Sequence, residues 1–246
     1  MCKFNAPAKR NALSKELVDD MEQVLTLIEK DQNIRSVILT SAEPGFFCAG
    51  ADLKQRLAMT NEESWLASYR LRWTFHRFYK LAVPVIGCID GPCLGGGMEI
   101  ALNCDIRVAT KGSLMGLPEV KLAILPGAGG TQKLPRIVGL GLAKELILTG
   151  KMFKADKALE YGIVNYVFDE YEQAYQKSLE LAREINKKGP VGVRMAKKAL
   201  NGALENDLEN GMLLEGECYR GVIHTEDRVE GLKAFVEKRD PVYKGK

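Results

Sequence analysis

The sequence predicts an α/β protein, a mostly parallel sheet with helices outside it, ending in a helical C-terminal region. Three observations predict it. The short apolar run SVILT within 35–40 reads as a strand buried on both faces, Val83 to Ile89 as a second buried strand and 105–109 as a third strand. Amphipathic stretches and glycine-bearing loops separate them, so helix, strand and loop alternate. From about Tyr171 onward the strand signal disappears and helical periodicity alone continues.

The first helix is predicted from Ser14 to Asp31, where Leu17, Met21, Val24, Leu25 and Ile28 share one face opposite Asp19, Asp20 and Glu22. Ser14 is a suitable N-cap. The strand Arg35 to Thr40 runs into a glycine-bearing loop, and a longer helix from about Glu63 to Leu81 leads to the strand Val83 to Ile89. A second Gly-rich turn, Gly91 to Gly97, precedes a helix at Met98 to Asn103 and a strand at Asp105 to Ala109. Gly116 to Pro126 is a further loop, and helices begin near Gly130. The tail reads as helices at Tyr171 to Lys187, Pro190 to Asn206, Leu208 to Val222 and Thr225 to Lys238, with Pro190 at a first helical position.

Composition narrows the function classes. The chain has 246 residues, 46% hydrophobic and 27% charged, enough for one large core. A formal net charge of +3 makes no polyanion-binding field. The six cysteines include no C-x-x-C pair and read as free thiols in a reducing compartment. With His76 and His224 as the only imidazoles, no metal site is expected. No apolar run approaches the roughly 18 residues of a spanning helix, and MCKFNAPAKR lacks the apolar core of a secretory signal, so a soluble intracellular protein is expected.

Two Gly-rich turns carry the chemical interest: CAGADLK at 48–54 and GPCLGGGMEIALNCD at 91–105. Each follows a strand and opens into a helix, where N–H groups point outward as donors, so two such turns side by side could hold one oxygen. Taken singly, each turn could equally serve chain reversal. Neither contains the G-K-[ST] of a phosphate-cradling loop. Glu99 and Glu119 are lone acids among apolar neighbours, and burial raises the pKa of such groups, which suits an acid and base pair. A surface pairing of Glu119 with Lys121 and a turn-capping Glu99 fit the residues as well.

CAGADLK, GPCLGGGMEIALNCD, LPEVKLAILPGAGGTQKLPR, LAKELILTG and the late DRVEGLKAFVEKR together resemble the enoyl-CoA hydratase/isomerase (crotonase) superfamily over nearly the whole chain. FCAGADLK and the ending PVYKGK look most like its methylglutaconyl-CoA hydratase group and that group's close enoyl-CoA hydratase relatives. The resemblance implies a crotonase-type ββα spiral core over 1–188 and a helical region over 189–246 that closes the CoA site and builds a homo-oligomer, a trimer or dimer of trimers. The family's opening strand hairpin looks missing, which leaves a bare sheet edge as the expectation.

The same resemblance implies roles for residues. The amides of Ala51 and Gly96 would form an oxyanion hole for the thioester carbonyl, Glu99 and Glu119 would hold and add a water, and the Gly127 backbone would help position it. Arg10, Ala49, Asp52, Lys54, Phe235 and Lys238 would contact the CoA portion, the last two from a late helix. Coenzyme A is then part of the substrate, and no separate cofactor is implied. The implied reaction is water addition to a 2-enoyl-CoA, methylglutaconyl or short-chain, in fatty-acid or branched-chain amino-acid breakdown. The implied location is the mitochondrial matrix in a eukaryote and the cytoplasm in a bacterium. An enoyl-CoA isomerase, in which one carboxylate shuttles a proton, is the nearest rival. RNA binding, associated with relatives carrying a lysine-rich first helix, is the rival of another class, and SKELVDDMEQVLTLIEK holds acids where it would need lysines.

Overall fold

Strands buried on both faces need cover on both sides, and this chain supplies it with helices. A computed structural model describes residues 1–246. In chain order the elements are β1 (Cys2–Phe4), α1 (Lys15–Lys30), β2 (Val37–Ser41), α2 (Leu53–Leu57), α3 (Asn61–Lys80), β3 (Val85–Ile89), β4 (Pro92–Leu94), α4 (Gly96–Ala101), β5 (Ile106–Thr110) and β6 (Leu114–Gly116). They continue with α5 (Gly130–Val138), α6 (Leu140–Leu148), β7 (Met152–Lys154), α7 (Ala155–Glu160), β8 (Tyr166–Phe168), α8 (Tyr171–Asn186), α9 (Pro190–Gly202), α10 (Leu208–Ile223) and α11 (Glu226–Glu237).

The main sheet has five strands in the order β1-β2-β3-β5-β8, every neighbouring pair parallel. Alternation along each strand splits its side chains between two cores. Val37, Leu39, Val85, Ile89 and Ala109 join the large core beneath α1, α3 and α4, whereas Ile38, Ile86, Cys88 and Val108 pack against Ala174 and Ala182 of α8. A second sheet, β4-β6-β7, pairs β4 with β6 in parallel and β6 with β7 antiparallel.

Local chemistry accounts for the element ends. Ser14 caps α1 by accepting from the Leu17 N–H at 3.3 Å, and Thr60 with Glu63 closes a capping box on α3. Pro190 stands at the start of α9, as its fixed φ favours. Five cysteines are buried, Cys2 is half-buried, and all six are free thiols.

Two expectations need correction. The sheet edge is not bare at β2, because Cys2–Phe4 pairs with Leu39–Ser41 as an edge strand. Four three-residue strands, β4, β6, β7 and β8, lie where loop or helix was expected, since so short a run shows no periodicity. No helix is long and apolar enough to cross a membrane.

Candidate active site

The two Gly-rich turns lie against one another. The Cys48 N–H donates to the Pro92 carbonyl at 3.0 Å and the Leu94 N–H to the Cys48 carbonyl at 3.2 Å, a short ladder that joins the turn after β2 to β4. On its other side the first turn is held by the segment before α1. Ala49 donates to the Arg10 carbonyl at 3.2 Å, and Leu13 donates to the Gly50 carbonyl at 2.8 Å. Asn11, fully buried, donates to the carbonyls of Phe46 and Phe47 and to Ser41 Oγ, which fixes the chain entering the turn. Nothing in the sequence singles out Asn11, although its amide is what sets the first turn in place.

The close approach leaves no room for side chains at the seam. A Cβ on Gly97 would collide with the Cys48 carbonyl, and one on Gly96 would lie 3.9 Å from the Ala51 nitrogen. Gly95 has φ 53° and ψ −123°, which glycine adopts without strain. The Ala51 and Gly96 amides therefore sit side by side. Ala51 N–H donates to no protein acceptor, and Gly96 opens α4, whose first N–H groups have no partner within the helix.

Glu99 and Glu119 converge on the same place. Glu99 lies one turn into α4, with its N–H bonded to the Gly95 carbonyl, and it is only 3% exposed. Its Oε1 accepts from Ala128 at 2.7 Å and Gly130 at 2.8 Å, the two amides at the start of α5. Those bonds favour the ionised form, but burial outweighs them and pushes the Glu99 carboxyl up to about 7, with the nearby Glu119 charge adding to the rise. Glu119 begins a 3-10 turn at Glu119–Leu122 and faces Gly95, whose Cβ would lie 3.2 Å from Glu119 Oε1. Burial raises the Glu119 carboxyl too, and its buried Oε2 has no hydrogen-bond partner. The surface pairing with Lys121 does not form; the Lys121 side chain lies over Gly150. The turn-capping reading of Glu99 holds for one oxygen and leaves Oε2 available.

Gly127 abuts α3: its Cβ would meet Ser68 Oγ, and its carbonyl accepts from Arg72 Nε at 2.9 Å. Asp52 caps α2, accepting from the Lys54 and Gln55 amides at 3.1 and 3.2 Å, with Lys9 Nζ 3.4 Å away. Those bonds, the Gln55 amide first, hold the Asp52 carboxyl below its ordinary value. Arg10 and Lys54 are exposed beside the first turn, a local basic edge. Phe235 and Lys238 are not brought to the turns by any hydrogen bond within this chain. Phe235 is 84% exposed on α11, so it is not a core residue, and the contacts of α11 run to its own C-terminal extension, as in the Arg239–Glu230 pair.

Folding raises the affinity of Glu99 for its proton, so the stability tied to that group is complete below the ordinary carboxylate range and is lost as pH climbs through about 7. Glu99→Gln keeps an oxygen for the Ala128 and Gly130 amides and removes the buried charge. It is expected to melt above the unsubstituted protein at pH 8, with the gain vanishing at pH 5; equal melting at both would contradict the assigned burial.

Comparison with known proteins bears on the chain as a whole. A family model described as enoyl-CoA hydratase/isomerase matches residues 1–246. The chain is 46% identical over 245 residues to mitochondrial methylglutaconyl-CoA hydratase of Mus musculus, covering 98% of this chain and 78% of that protein. It is 44% identical to the mitochondrial enoyl-CoA hydratase domain-containing protein 2 of the same organism, over 99% of this chain and 83% of that protein. The crystal structure of enoyl-CoA hydratase from Bacillus anthracis superposes with a TM-score of 0.96 at 46% identity, covering 99% of this chain and 94% of the other.

Proposed function

The chain belongs to the enoyl-CoA hydratase/isomerase family, and on that premise we propose that it is a 2-enoyl-CoA hydratase with Glu99 and Glu119 as its catalytic pair. The observation that carries this reading is the convergence of two carboxyls, both raised by burial, on the seam where the Ala51 and Gly96 amides lie. In the proposed reaction the thioester carbonyl accepts from both amides, so that negative charge developing on its oxygen is stabilised as it forms. A water held between the carboxyls attacks Cβ, and Glu99, as the carboxylate, takes its proton. Glu119 delivers a proton to Cα of the enolate, so H and OH end on adjacent carbons. The Gly127 backbone, held by Arg72, helps to position the water.

Glu99 must be ionised to act, so hydration should fall as pH drops through about 7. A flat profile between pH 6 and 8 would contradict its role as base. The isomerase reading needs a single proton shuttle and leaves one carboxyl idle. Loss of conjugated-thioester absorbance with a 2-enoyl-CoA is the expected result. Absorbance gained from a 3-enoyl-CoA, with the 2-enoyl-CoA left intact, would favour isomerisation.

In the same reading, the exposed basic edge at Arg10 and Lys54 meets the phosphates of coenzyme A, with Ala49 and Asp52 in the turn beside it. Phe235 and Lys238 are proposed to close over the cofactor portion of a neighbouring subunit. The exposed Leu200, Leu208, Met212 and Tyr219 of α9 and α10 support a homo-oligomer, a trimer or dimer of trimers. Against RNA binding, Asp19 and Glu22 of α1 are paired with Arg70 at 2.6 and 2.7 Å.

A further inference from the structure

The arginines of α3 divide between two faces of the helix. Arg70 and Arg77 lie on one side and pair with carboxylates of α1, Arg70 with Asp19 and Glu22 and Arg77 with Glu29. Arg72 points away from that side, forms no ion pair, and donates from Nε to the Gly127 carbonyl at 2.9 Å. The Gly127 carbonyl belongs to the same peptide unit as the Ala128 N–H, and that N–H donates to Glu99 Oε1 at 2.7 Å. The peptide is trans, so its two polar ends point in opposite directions, one to Arg72 and the other to Glu99. Cation, peptide and carboxylate thus form one hydrogen-bonded line. The packing along it is tight: a Cβ on Gly127 would lie 2.6 Å from the Oγ of Ser68, which precedes Arg72 by one helical turn.

Polarisation runs along such a line. A carbonyl that accepts from a cation makes its peptide's N–H a better donor, with each bond strengthened by about 10–30%. A better donor in turn favours the ionised carboxylate. That support acts against burial, the largest influence on Glu99, and against the Glu119 charge, both of which oppose ionisation. The cations whose charge favours it are Arg72 of α3 and Arg56 of α2, whereas β4 carries no charged side chain and the start of α5 presents its amides. Of the two cations, Arg72 alone reaches Glu99 through hydrogen-bonded atoms; Arg56 donates to the Ser64 carbonyl.

We propose that Arg72 is a positioning residue of the reaction, acting through the Gly127–Ala128 peptide to hold the Glu99 carboxylate ready as the base. The proposal rests on the hydratase reading of Glu99 and Glu119 and goes beyond the placing of Gly127. A neutral donor would fix that loop equally well, whereas a cation also supports the charge on Glu99. Arg72 itself stays protonated throughout.

The test measures kcat for a short-chain 2-enoyl-CoA from about pH 5.5 to about pH 9 with the full-length wild type, Arg72→Met and Arg72→Lys. Arg72→Met should move the midpoint of the acid limb up by at least about half a pH unit, which lowers kcat about threefold on that limb and leaves it near wild type on the alkaline plateau. Arg72→Lys should return most of the shift. A purely structural role would lower kcat equally at every pH. That result, or an unmoved midpoint, would overturn the proposal and leave the hydratase reading intact, whereas a wild type that hydrates no 2-enoyl-CoA would overturn both. Melting reads the same coupling without turnover. Loss of Arg72 raises the proton affinity of Glu99 in the folded chain further, so Arg72→Met should lose more melting temperature at pH 8 than at pH 5, and the difference should vanish in the Glu99→Gln background. Equal losses at both pH values, or a difference that persists beside Glu99→Gln, would overturn the proposal.

Discussion

Glu119→Gln should lower hydration turnover by at least about a hundredfold, the low end for loss of a general acid or base. The substitution keeps the size of the side chain and removes its titratable proton. Glu119 Oε2 is buried without a hydrogen-bond partner, so no structural contact is lost with it. KM should change much less than kcat, because in the proposed mechanism the group acts on the proton delivered to Cα and not on the CoA portion. Steady-state rates on a 2-enoyl-CoA, with a melt to show that the variant is folded, measure this directly. Turnover within a few-fold of wild type would remove Glu119 from the mechanism.

Gly97→Ala is expected to have a comparable effect by a different route. The new Cβ would be driven into the Cys48 carbonyl, the group that accepts from Leu94 across the seam. Parting the two turns moves the Ala51 amide away from Gly96, and a displacement near 1 Å can cost about a hundredfold in rate. The melting temperature should fall as well. Gly112→Ala supplies the control: a Cβ there meets nothing within 4 Å, so neither rate nor melting should move. Unchanged turnover in Gly97→Ala would mean that the spacing of the two amides does not govern the reaction.

Much of this arrangement can be read from residue order alone, for identifiable reasons. The apolar runs of β2, β3 and β5 stand out because both faces are buried, and the helices after Tyr171 stand out because each is at least twelve residues long. Strands such as Pro92–Leu94 and Leu114–Gly116 carry no such signal; pairing across the second sheet defines them. Glu99 and Glu119 are conspicuous as acids amid apolar neighbours, and the Gly-rich turns as breaks between strand and helix. Arg72 is not, since a long cation on a helix has the same local pattern whether it faces solvent or a site. What distinguishes it is tertiary: Arg72 meets the Gly127 carbonyl across 55 residues. Phe235 shows the converse, an aromatic at a helical position that leaves the core entirely.

In the proposed reaction the seam between the two turns sets the direction, with the amides where the carbonyl charge would develop and the carboxyls where water would enter. Turnover of a 2-enoyl-CoA in water labelled with heavy oxygen tests that account most directly. A product heavier by one labelled water, with the label in the hydroxyl on Cβ and its formation lost in Glu119→Gln, is the result predicted. An unlabelled product in which the double bond has merely moved, or label incorporated equally by Glu119→Gln, would contradict it.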